Sequence, residues 1–211
     1  MTMANMGQRD HVSSVGILRE THMEHVIGEL VDQVLRIDDR TVEFVLTLRH
    51  PITTKLLTSV TGLGSASAGL VFLSLFYLAG WTEEFLQTLG ALSLAGIVVG
   101  TLMTAVQRPF PPYPVCMTGG AETVAHSFPS GHAAAVATYT MTARHSETLP
   151  FEPVAVLAAL IAFSRIYLGT HYLSDTVVGV VIGFLAFVTA RTLLERLEST
   201  AVGRDALERL Q

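Results

Sequence analysis

No Asp, Glu, Lys or Arg interrupts residues 56–82, and none interrupts 85–107. At about 1.5 Å per residue, either run reaches across a hydrocarbon layer of roughly 30 Å. Three more apolar runs follow. The pattern predicts five spanning helices, over about 56–79, 84–106, 130–145, 153–168 and 172–195. The first is dense in small residues (Gly62, Gly64, Ser65, Ala66, Ser67, Ala68 and Gly69), which let helix backbones approach closely. Upstream, residues 1–20 read as loose and polar. Met23, Val26, Ile27, Leu30, Val31 and Val34 then recur at helical spacing, with Glu24, Glu29 and Asp32 on the other side. Asp38-Asp39 is expected to break this helix, and a second short one, 40–49, to end at His50-Pro51. Both carry too many charges to span. They fit a helix at the membrane interface or, better given the acidic polar face, one packed on the protein's own surface. The expected organisation is an N-terminal polar and amphipathic segment over 1–50, a transmembrane domain over 51–195 and a charged tail over 196–211. The fold class is all-α, a polytopic membrane helical bundle of about five transmembrane helices plus the amphipathic N-terminal region.

Composition sharpens this picture. Half of the 211 residues are hydrophobic and 15% are charged, against about 25% charged in a soluble domain. The formal net charge is -5 and there is no basic tract, so nucleic acid is not an expected partner. Cys116 is the only cysteine, which rules out an intrachain disulfide and any Cys-pair metal site. The first ten residues lack a basic region followed by an apolar run, so no cleavable signal peptide is expected.

Between the second and third runs lies a Pro- and Gly-dense loop, 107–129, long enough to suggest a function. Alternating spans place the end of helix two, the start of helix three, the end of helix four and the start of helix five on one membrane face. Those places hold Arg108, His132, Arg165, His171 and Asp175. Ionisable groups at such positions are costly and mark function by default. Ser130 is a good N-cap, and Gly131 lets a ligand approach the backbone of a helix N-terminus, a ready anion site. Arg108 and Arg165 add charged forks that match phosphate oxygens. His171 and Asp175 are spaced i, i+4, so the carboxylate is expected to fix one ring nitrogen and leave the other free to attack. His132, on another helix, suits a general acid.

Pro129-Ser130-Gly131-His132 and SRIYLGTHYLSD, Ser164 to Asp175, resemble two signatures of the type 2 phosphatidic acid phosphatase family. Its relatives include lipid phosphate phosphatases, isoprenyl diphosphate phosphatases, glucose-6-phosphatase and the soluble vanadium haloperoxidases. The resemblance covers about 56–190. It implies that His171 is a nucleophile forming a phosphohistidine, that Asp175 orients it and that His132 protonates the leaving group. It implies that Arg108, Arg165, Ser130 and Gly131 bind phosphate, with no metal ion and no other cofactor. The family pattern places a lysine six residues ahead of Arg-Pro; here that position holds Thr101. Lys55, the only lysine, is a candidate substitute, and Thr101 can offer a hydrogen bond but no charge. The family commonly has six spanning helices, against five read here. His126, in the loop, is a further candidate substrate contact.

The implied activity is hydrolysis of a lipid phosphate or isoprenyl diphosphate, with membrane lipids as surroundings. The alternatives are a lipid phosphotransferase on the same scaffold, a metallohydrolase using His126, His132, His171 and Asp175 as ligands, and a non-catalytic phospholipid-binding or transport protein. Arg49 and Lys55 lie on the active face, and Arg144, Arg191 and Arg196 on the opposite one. By the positive-inside rule the protein is expected to be a multi-pass protein of the cell membrane with its active site on the non-cytoplasmic face.

Overall fold

The structure, a computed structural model, describes residues 7–115 and 126–199, with side chains from residue 23 onward. Cys116 and the tail beyond residue 199 lie outside the described residues. The chain divides into two compact units, Met1–Arg40 and Thr41–Gln211. Seven α-helices are described: α1 (Gly7–Thr47), α2 (Pro51–Thr61), α3 (Ala66–Leu78), α4 (Thr82–Val106), α5 (Gly131–His145), α6 (Phe151–Tyr167) and α7 (Leu173–Glu198). No strand occurs among the described residues.

The first unit is α1 as far as Arg40, and here two expectations fail. Residues 7–20 are helical, not loose, and the helix runs straight through Asp38-Asp39. An interior Asp costs at most about 0.7 kcal/mol relative to Ala, far less than the ~3 kcal/mol of a proline, and a nucleated helix propagates. The first proline is Pro51. Asp38 is buried and has interaction partners. The apolar stripe from Met23 to Val34 is exposed.

In the second unit, His50 adopts the extended conformation that Pro51 imposes and caps α2 through its ring. The expected single helix over 56–79 is two helices. A 3-10 turn, Gly62–Gly64, and the cap Ser65 separate α2 from α3, which are bent by 57°. Ser65 Oγ accepts the Ala68 N–H at 3.2 Å, so the break is capped. Steric space explains its place: a side chain on Gly64 would begin 2.9 Å from Ile161 Cγ2 and 3.1 Å from His132 Cδ2.

The other four helices lie where the apolar runs placed them, within a few residues. Among the described residues, only α4 and α7 are long and apolar enough to cross a membrane singly, and α2 with α3 make a third span if counted together. α5 and α6 have 15 and 17 residues, about 22 and 26 Å of helix. The five-span expectation therefore holds as five segments, not as five full-length spans. α5 sits between α4, α6 and α7 and packs on all three.

The packing is apolar outside as well as inside. The buried residues include many small and hydroxyl ones, Ala91, Ala95, Ala134, Thr138 and the Thr88–Thr142 hydroxyl pair at 3.0 Å, beside larger ones such as Ile182 and Phe187. Outside are Leu70, Leu75, Ile97, Val156, Val181 and Leu185. Small interior residues let helix backbones close up, and an apolar exterior suits lipid. α5 and α7 approach closely. Side chains on Gly179 and Gly183 would collide with the Ser130 and Ala134 carbonyl oxygens of α5. Trp81 and Tyr77 lie at the end of the bundle away from the α5 N-terminus, and aromatics of this kind are enriched where a membrane meets water.

Candidate active site

At the other end, four helix termini meet. α4 ends in Gln107, a left-handed cap, and releases Arg108. Ser130 caps α5 by accepting the Ala133 N–H at 3.3 Å. The N–H groups of Gly131 and His132, in the first turn, lie ahead of the helix's own hydrogen-bond ladder. α6 ends at Tyr167, and the chain then doubles back. The Arg165 carbonyl accepts from Thr170 N at 3.1 Å, His171 N at 3.2 Å and Thr170 Oγ1 at 3.0 Å. Gly169, at φ +71°, makes this turn possible. α7 then starts, with Asp175 accepting the Tyr172 N–H at 2.9 Å.

Arg108, His132, Arg165, His171 and Asp175 are brought together. Arg108 Nη1 stands 2.6 Å from Asp175 Oδ1 and 2.8 Å from Ser174 Oγ, and its guanidinium lies 3.8 Å over the Tyr172 ring. Ser130 N donates to the Asp175 carbonyl at 3.1 Å, joining the α5 cap to α7. Arg165 Nη1 donates to Thr61 Oγ1 at 3.0 Å, at the end of α2. The Ser164 hydroxyl turns back on its own helix, donating to Ile161 O at 2.6 Å.

One expected contact differs. The partner of His171 Nδ1 is the Ser127 carbonyl, at 2.5 Å, whereas the Asp175 carboxylate stands 4.0 Å away. The carboxylate is already committed to Arg108 and to the α7 N-terminus. A carbonyl oxygen only accepts, so Nδ1 carries the proton and the lone pair is on Nε2. Burial is the main reason the ring's pKa falls to about 3; the Arg165 charge lowers it further, His132 adds to that, and the Ser127 bond opposes it. His171 is therefore neutral and in one tautomer at physiological pH.

A family model described as PAP2 superfamily matches residues 84–198, which span α4 to α7. The chain belongs to the PAP2 superfamily. Two solved structures share the fold. One is LpxE from Aquifex aeolicus, at TM-score 0.65 and 24% identity, covering 74% of this chain and 94% of that one. The other is a transmembrane PAP2-type phosphatidylglycerolphosphate phosphatase from Bacillus subtilis, at TM-score 0.67 and 23% identity, covering 79% and 89%. No functionally curated protein matches. By family and fold this PAP2 chain is a membrane phosphatase.

The remaining candidates fall elsewhere. Thr101 lies on the exposed side of α4 and donates to its own Ile97 carbonyl at 2.8 Å, so it does not point into the PAP2 site. Lys55 is exposed on α2 and forms no ion pair among the described residues. His126 adjoins Ser127, and its Nδ1 is buried with no hydrogen-bond partner among the described residues. No three His, Cys, Asp or Glu side chains among the described residues are grouped to hold a metal ion.

Several contributors to this site went unread in the sequence. Ser127 acts through its main chain, which no side-chain pattern reveals. Thr61, Tyr172 and Ser174 sit at positions with no fixed type in the motifs. Gly179 and Gly183 were readable: G-x-x-x-G in an apolar run signals close helix packing.

Proposed function

We propose that the protein hydrolyses a lipid phosphate or lipid diphosphate through a phosphohistidine, without a metal ion. One observation carries the reading: a neutral, single-tautomer His171 at the meeting point of two guanidiniums, a second histidine and a helix N-terminus. His171 Nε2 attacks phosphorus, the bond from phosphorus to the leaving oxygen breaks, and His132 gives that oxygen a proton. Water then attacks the phosphohistidine, His132 takes its proton, and the P–N bond breaks to release inorganic phosphate. Arg165, Arg108 and the first N–H groups of α5, at Gly131 and His132 behind the Ser130 cap, hold the phosphoryl oxygens as charge develops. Asp175 holds Arg108 in place while it does so.

A lipid substrate is favoured by what adjoins the site. An apolar groove of about 200 Å³, lined by Leu63, Phe72, Tyr139, Leu157 and Ile161, runs between α3, α5 and α6. Ile161 of the groove and His132 both lie against the Cβ position of Gly64, so the groove adjoins the site. The protein is a multi-pass membrane protein in this reading. Arg144, Arg191 and Arg196, at the end away from the site, favour a cytoplasmic location for that end.

The test is phosphate release by detergent-purified protein, with chelator present. The panel holds phosphatidic acid, phosphatidylglycerol phosphate, an isoprenyl diphosphate and glucose 6-phosphate. Lipid hydrolysis that is inhibited by vanadate and lost in His171→Ala is expected. Wild-type-like activity in a folded His171→Ala variant would end the histidine-nucleophile reading. Loss of lipid phosphate without free phosphate would move the assignment to a transferase.

A further inference from the structure

We propose that Arg49 is a positioning residue of the active site, a clamp that sets the turn carrying His171 against the loop that follows Arg108. This rests on the reading above, in which His171 is the nucleophile. Arg49 lies in the connector between α1 and α2, outside the residues that the family model matches. Its Nε donates to the Tyr167 carbonyl at 3.2 Å and its Nη1 to the Tyr113 carbonyl at 2.7 Å. Tyr167 ends α6, four residues before His171. Tyr113 lies five residues after Arg108. One planar fork therefore ties together the two segments that deliver the nucleophile and a phosphate-binding arginine.

The backbone at both ends of this tie is unusual. Tyr113 has φ 58° and Gly169 has φ 71°. A non-glycine residue in the left-handed region is strained and persists only where its surroundings enforce it. Here the conformation turns the Tyr113 carbonyl toward the guanidinium. Gly169 leaves room for it: a side chain there would begin 2.7 Å from Arg49 Nη2.

The stretch just after Arg108 is also poor in main-chain donors. Pro111, Pro112 and Pro114 lack an N–H, so this stretch has few donors with which to brace itself. Val115 N to the Leu168 carbonyl, at 2.9 Å, is the neighbouring tie to the same turn. The connector is itself anchored, since Tyr167 Oη accepts the His50 N–H at 2.9 Å and donates to the Leu48 carbonyl at 3.3 Å. Arg49 has no carboxylate within ion-pair distance among the described residues, so its fork is spent on carbonyls. Those at the C-terminus of α6 are ones a cation favours. A lysine there would keep the charge but lose the fork.

The test uses the full chain in detergent, as wild type, Arg49→Ala, Arg49→Lys and His171→Ala, with kcat, KM and thermal stability measured for each. Loss of the clamp misplaces His171 relative to the phosphate site, so kcat of Arg49→Ala is expected to fall by about 10- to 100-fold. KM should change by less than about threefold, because the phosphate ligands remain. Arg49→Lys should fall between the two, and added methylguanidinium should restore part of the Arg49→Ala activity while leaving His171→Ala inert. Wild-type kcat in Arg49→Ala, beside an inactive His171→Ala, would overturn the clamp and leave the mechanism standing. So would a loss that only tracks the unfolded fraction. An active His171→Ala would instead overturn the underlying mechanism.

Discussion

Gly179→Ala tests whether the α5–α7 contact sets the catalytic geometry. The new methyl would start 3.0 Å from Ala133 Cβ and 3.2 Å from the Ser130 carbonyl carbon, and closer still to its oxygen. Ordinary contacts begin near 3.4 Å. The obstacle is backbone at a buried helix cap, so no flexible side chain can swing away. The start of α5 must move from α7 by on the order of 1 Å, and overpacking of this kind costs about 1–3 kcal/mol. The displaced segment is the Ser130 cap leading into His132, which is bonded to Asp175 through Ser130 N. A shift of that size costs up to about 100-fold in rate. The expected outcome is a fall in kcat of tenfold or more, on the order of that geometric effect, with thermal unfolding in detergent lowered by several degrees. The control is Gly96→Ala, a helix interior position with nothing within 4 Å of the new methyl. It should keep wild-type kcat and gain about 0.5–1 kcal/mol, since Ala favours helix over Gly. Wild-type kcat and stability in Gly179→Ala would refute the argument that this contact positions the acid against the nucleophile.

Two further outcomes follow from the site. His171 has a folded pKa of about 3 against an ordinary 6.5, so between those values the unfolded chain binds a proton that the folded chain refuses. Stability is then full above pH 6.5 and drops by about 1.4 kcal/mol per unit as pH falls below it. Unfolding at pH 7.5 and 5 should therefore show a smaller acid penalty in His171→Gln than in wild type; equal penalties would mean the ring is not buried neutral. Thr101→Val should leave kcat unchanged and stability within about 0.5 kcal/mol, since the hydroxyl serves only its own helix. A kcat loss at unchanged stability would place Thr101 in contact with substrate.

The helices that carry the site were legible because apolar runs, Ser130 and the chain reversals mark their ends chemically. Their convergence followed from alternation across a membrane. The break at Gly62–Ser65 was not legible: Gly and Ser in an apolar run look the same whether they admit a neighbouring helix or end the helix they sit in. The i, i+4 spacing of His171 and Asp175 put the two side chains on one face but did not say which of several donors the carboxylate prefers. Charge decides that. A permanent guanidinium and a helix N-terminus both outbid a neutral imidazole. The same spacing rules overvalued Asp38-Asp39 as a stop, because polar residues end helices only when something better is on offer nearby.

His171 is held by the main-chain oxygen of Ser127, and that has a genetic consequence. Every amino acid supplies that oxygen, so no substitution at position 127 deletes the anchor directly. The Ser127 side chain has a separate task, donating to the Pro109 carbonyl at 3.0 Å, while its N–H donates to the Arg108 carbonyl at 2.7 Å. Inactivating alleles that act through the anchor should therefore gather at residues that shape the loop, Pro109 and Pro129 among them, and spare much of the chemical variety possible at 127 itself. If His171 is the nucleophile proposed above, an enzyme built this way hides one of its catalytic contacts from point mutation, and exposes instead the path of the chain that delivers it.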